Sequence, residues 1–112
     1  MATEIVLLSD VPLPVEVAHR ALIRILPEAE SFDFSVPGLS MHVDLGQTTV
    51  LTVCESVEVE IEGAGADLLA DPAPHYTYWT DIAIPDHSLE STARAAAEEM
   101  ARAVSGHISD KR

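Results

Sequence analysis

His42-x-Asp44 is the spacing in this sequence that comes nearest to a chemical site. Residues two apart on a strand share a face, so the imidazole and the carboxylate point the same way. With Glu58 or His75 opposite, they would make a metal site of nitrogen and oxygen ligands, suited to a small metal-dependent enzyme or metal-binding protein. The competing reading is a solvated strand face, where polar side chains recur at the same interval.

Other chemistry finds less support. Glu58 and Glu60 would form an acid–base pair only if burial raised one pKa, and alternate residues on an open strand stay hydrated. Cys54, the one cysteine, stands within an apolar strand and reads as a small hydrophobe. Ser9 and Ser56 lack the glycine-flanked turn of an exposed nucleophile. "GAGADLL" has Gly63 and Gly65 but no third glycine or lysine, and its Asp67, with Asp71 beyond, would repel a phosphate. No catalytic residue is assigned, and no cofactor is expected.

The carboxylates themselves are the stronger signal. The 112 residues carry a net charge of −13. All six basic residues lie at Arg20, Arg24, Arg94, Arg102, Lys111 and Arg112, while thirteen acids occupy the interval between Arg24 and Arg94. Nucleic acid and anionic membrane are thereby disfavoured as partners, and a basic protein is favoured. In "ESVEVEIEG" the glutamates alternate with Val57, Val59 and Ile61, as in a half-buried strand. The phase of the last strand sets Trp79 and Asp81 on the same open face. Glu58, Glu60, Glu62, Trp79 and Asp81 are therefore the expected partner-binding residues, with the acids steering and Trp79 anchoring.

The function expected is that of a non-enzymatic acidic binding module for a basic protein partner. Immunity proteins, antitoxins and secretion chaperones have this character. A homo-oligomeric structural domain is a further alternative. The glutamate row argues against face-to-face self-packing but leaves edge pairing and helix packing open.

The elements that must position these residues follow from periodicity. Ile5 to Leu8 is a continuous apolar run, the pattern of a central strand. Pro14 begins a helix in which Val15, Ala18, Leu22, Ile25 and Leu26 recur at helical spacing, and Pro27 ends it. Ser31 to Leu45 alternates as a strand but changes phase at Pro37-Gly38, where a bulge or break is expected. A three-residue loop, Gly46 to Thr48, pairs Val43 with Leu51 and Met41 with Val53, like with like. Thr49 to Glu62 is one long strand, or two joined near Glu55-Ser56, because Glu55 falls on the apolar face. Tyr76, Tyr78, Ile82 and Ile84 make the inner face of the last strand. Ser88 is the expected N-cap of a final helix whose stripe is Leu89, Ala93, Ala96, Met100, Ala103 and Val104, closed by Gly106.

The order is β-α-β-β-β-α. It predicts an α+β two-layer sandwich: a mostly antiparallel four-stranded sheet with both helices on one face. Residues 1–112 are expected to form a single domain, with 107–112 a frayed tail. "MATEIVLLSD" has no basic leader and no span-length apolar run, and no disulfide framework exists. A cytoplasmic protein is expected.

Overall fold

The computed structural model describes residues 3–33, 38–59, 66–70 and 76–111. The fold is α+β, with seven antiparallel strands and two α-helices among the described residues, where the periodicity predicted four strands. The elements are β1 (Thr3–Ser9), α1 (Val15–Ile25), β2 (Glu30–Asp33), β3 (Leu39–Leu45), β4 (Thr48–Cys54), β5 (Val57–Glu58), β6 (Tyr78–Ile84), α2 (Glu90–Ala103) and β7 (His107–Asp110). Across the sheet they run β2-β3-β4-β6-β1-β7, and β5 pairs with β6 beyond the end of β4.

β1 is central, paired with β6 on one side and β7 on the other. Its run of four apolar residues is buried throughout because both faces are covered. Ile5 and Leu7 join the main core, which also takes Met41, Val43, Leu51, Val53, Ile82 and Ile84 from the sheet. Ala18, Ala21 and Leu22 of α1 and Ala93, Ala96, Ala97, Met100 and Ala101 of α2 enter the same core, so both helices cover one face. Small side chains along α2 bring its backbone close to the sheet. Val6 and Leu8 turn the other way, into a second cluster with Leu69 and Tyr76.

Three extra strands account for the difference in number. A bulge or break was expected at Pro37-Gly38; instead β2 and β3 pair antiparallel with Phe32 opposite His42, so the chain reverses between them. Gly38 takes φ 89°, a conformation open to glycine, on the way into β3; Pro37 lies outside the described residues. β5 is separated from β4 by Glu55 and Ser56. Residues 107–110, expected to fray, form β7, with Ile108 opposite Leu7 and packed on the main core. Gly106 permits this: a Cβ there would stand 2.8 Å from the Leu8 carbonyl oxygen.

The β3–β4 turn is tighter than expected, yet it reaches the expected register. Leu45 pairs with Thr48 around Gly46-Gln47, and Gly46 takes φ 66°. A bulge then inserts one residue, so that Val43 meets Leu51 and Met41 meets Val53. Val50 and Leu51 both sit in the main core as a result. Ser88 is not the cap of α2. Asp86 instead accepts from the Ser88 backbone N–H at 2.9 Å and its hydroxyl at 2.6 Å, starting a 3₁₀ turn that leads into the helix.

Candidate functional site

The register between β4, β5 and β6 decides where the glutamates point. Val53 pairs with Ile82, and Val57 pairs with Trp79. The β4–β5 strand thus advances four residues while β6 retreats three. The extra residue is a bulge at Glu55-Ser56, and it inverts the phase beyond. Residues paired directly across an antiparallel ladder share a face. Val57 therefore lies on the Trp79 face, and Glu58, paired with Tyr78, lies on the opposite one. The structure does not bring Glu58 together with Trp79 and Asp81. Glu60 and Glu62 lie outside the described residues.

Ser56 fixes the bulge. Its hydroxyl accepts from the Leu13 backbone N–H at 2.9 Å and lies 2.7 Å from the hydroxyl of fully buried Thr80. Replacing Ser56 by an apolar residue would strand two polar groups, at about 1–3 kcal/mol each where they are buried.

Trp79 and Asp81 do share the face away from the helices, as the sequence predicts. Neither is free, however. Trp79 is half-buried among Val6, Leu8, Leu69 and Tyr76. Its ring lies 6.4 Å from that of Tyr76 at 57°, and its indole N–H donates to Asp81 Oδ1 at 3.1 Å. Tyr76 was expected on the helix side; the chain leaves strand geometry before Tyr78, and this aromatic turns to the second cluster instead. Residues 66–70 lie over the cluster, with Ala70 N–H donating to Asp110 O at 2.8 Å and Leu69 bridging Lys111. Lys111 in turn reaches Asp81 at 2.8 Å, and that bond raises the lysine pKa. The sheet therefore has a basic answer to one of its acids, supplied by the end of the chain.

What remains open at the β5 end is an acidic rim with apolar points. Asp10, Glu55 and Glu58 are exposed there. Val11 is 49% exposed and Val57 60%. The Leu13–Ser56 bond and the Thr77 N–H bond to Ser9 O, 2.9 Å, hold the β1–α1 loop beside β5 and β6.

His42 and Asp44 do come together. His42 Nε2 stands 2.7 Å from Asp44 Oδ1, an atom shielded from solvent. Thr49 and Thr52 hydroxyls lie 3.3 and 3.4 Å from the two ring nitrogens, and Phe32 lies 6.5 Å away, centroid to centroid. Among the described residues no three His, Cys, Asp or Glu side chains gather to hold a metal; His75 lies outside them. Among the described residues the imidazole's polar neighbours include a carboxylate and two hydroxyls of its own hairpin. Cys54 is half-buried, and burial, then the Asp81 carboxylate, pushes its thiol above the usual value. That is the opposite of what a nucleophilic thiol needs.

Comparison with known proteins is brief. The chain matches no protein-family model, no curated protein and no solved structure. No helix among the described residues is long and apolar enough to cross a membrane.

Sequence reasoning missed the bulge's effect, although Glu55 on an apolar phase was its signal. It also missed Arg94, whose guanidinium donates to Asp110 at 2.7 and 3.0 Å and to Glu90 at 3.1 Å. Arg94 holds the Asp110 carboxyl below its ordinary pKa. The i, i+4 spacing of Glu90 and Arg94 was legible, but the reach to β7 was not.

Proposed function

We propose that this chain is a cytoplasmic, non-enzymatic binding module whose acidic sheet edge engages a basic protein. The observation that carries the reading is the rim at β5, where exposed Glu55 and Glu58 flank Val57, 60% exposed. No Lys or Arg lies between Arg24 and Arg94 in sequence, and the sequence continues into Glu60 and Glu62. Carboxylates around an apolar point steer a cationic partner and give it a surface to dehydrate. Trp79 and Asp81 support the edge from the Val57 face, since their polar atoms are already bonded within the sheet.

The test is affinity capture with the tagged chain beside its Glu55→Lys/Glu58→Lys variant. A basic protein held by the first and lost by the second supports the reading. Equal recovery with both, or no basic protein with either, contradicts it.

A further inference from the structure

Arg20, Arg24 and Arg102 converge on one crevice between α1 and α2. They are half of the basic residues in a chain of net charge −13. Small side chains, Ala21 and Ala103, leave the crevice a volume of about 310 Å³, within the range of small-ligand sites. The acid along its walls is Glu99, which is 16% exposed on its side chain, bonds to Arg102 and stands 3.8 Å from Arg24. Two positive charges remain in excess.

Helix geometry accounts for part of this arrangement. Arg24 and Arg102 stand in the last turns of their helices, where cations meet the exposed carbonyls. Arg20 does not, and among the described residues it makes no hydrogen bond or ion pair. We propose that the crevice binds a small molecule bearing a phosphate or a pair of carboxylates. Guanidinium forks take such oxygens two at a time. Arg24 and Arg102 have side chains 74% and 72% exposed, so their contacts with Glu99 yield readily to a stronger anion. The field of so acidic a protein repels anions in general, so occupancy depends on the fork geometry and not on bulk attraction. Glu99 competes with the ligand for the same two arginines and sets the affinity.

The experiment is a calorimetric titration of the full chain with pyrophosphate and, separately, citrate, at constant ionic strength. Saturable binding of one of them is expected, and which one names the ligand class. Arg20→Gln should weaken that binding by about tenfold, while Glu99→Gln should tighten it several-fold. Opposite signs for two substitutions in one crevice are not the signature of a general loss of structure, and circular dichroism checks that both variants fold. No saturable binding of either anion up to roughly 10 mM, or binding unchanged in both variants, overturns the proposal.

Discussion

Val57 and Trp79 share one face of the sheet, and their pairing turns Glu58 onto the other. A single inserted residue at Glu55-Ser56 thus separates Glu58 from Trp79. Glu55 and Glu58 gain an edge of their own, beside the β1–α1 loop, and Trp79 becomes the cover of a small second core.

Ser56 is the pin of that arrangement. Ser56→Ala removes the acceptor for the Leu13 N–H and the partner of the Thr80 hydroxyl, which has no solvent exposure. A loss of about 2–6 kcal/mol is expected in urea unfolding, from the two stranded groups together. Ser56→Thr keeps the hydroxyl and should recover part of it.

Leu69 is the lid of the second core, fully buried against Val6, Leu8 and Tyr76. Leu69→Ala should cost about 2–5 kcal/mol. It should also shift Trp79 fluorescence to longer wavelength in the native state, since water then reaches the indole. An unchanged spectrum would show that residues 66–70 do not shield it.

Arg94 ties α2 to β7 and lowers the Asp110 pKa chiefly by its hydrogen bonds. A depressed carboxylate stabilises the fold above its unfolded-state pKa, and that contribution is lost as pH falls through the folded value. The wild-type chain should therefore lose stability on acidification below the carboxylate range. Arg94→Gln should lose less over the same interval, as seen by melting temperature against pH. Identical acid limbs would remove Asp110 from the account.

Gly106 lies where a Cβ would stand 2.8 Å from the Leu8 carbonyl oxygen, which belongs to a central strand and cannot yield. Gly106→Ala should cost about 1–3 kcal/mol by forcing β7 away from β1. Hydrogen exchange at the β7 amides should rise with it.

Much of the fold was legible because one-sided burial writes itself into period. The central strand, both helices and the Met41–Val53 register follow from apolar spacing. In α2 the expected Ala93, Ala96 and Met100 are buried, but Ala103 is exposed, and Ala97 and Ala101 take places in the core instead. β2 was read as strand, but as one run with β3 and not as its antiparallel partner. β7 was not legible: four residues span too little alternation to separate a strand from a loop. β7 owes its place to contacts remote in sequence, Ile108 on Leu7 and Asp110 on Arg94. The site was half legible. His42 with Asp44, and Trp79 with Asp81, share faces as their two-residue spacing requires. Glu58 does not join them, because phase survives within a strand and not across a bulge. Lys111 pairing with Asp81 depends on β7 and was hidden with it.

The acidic rim is tested most directly by the association rate of the captured basic partner, measured at low and high salt. Three chains are compared: wild type, Glu55→Lys/Glu58→Lys, and Trp79→Phe. The account predicts a wild-type rate that falls with salt, a charge-reversed rate slower by about tenfold or more at low salt, and a Trp79→Phe rate close to wild type. A charge-reversed chain that associates as fast as wild type, or a loss confined to Trp79→Phe, would contradict it.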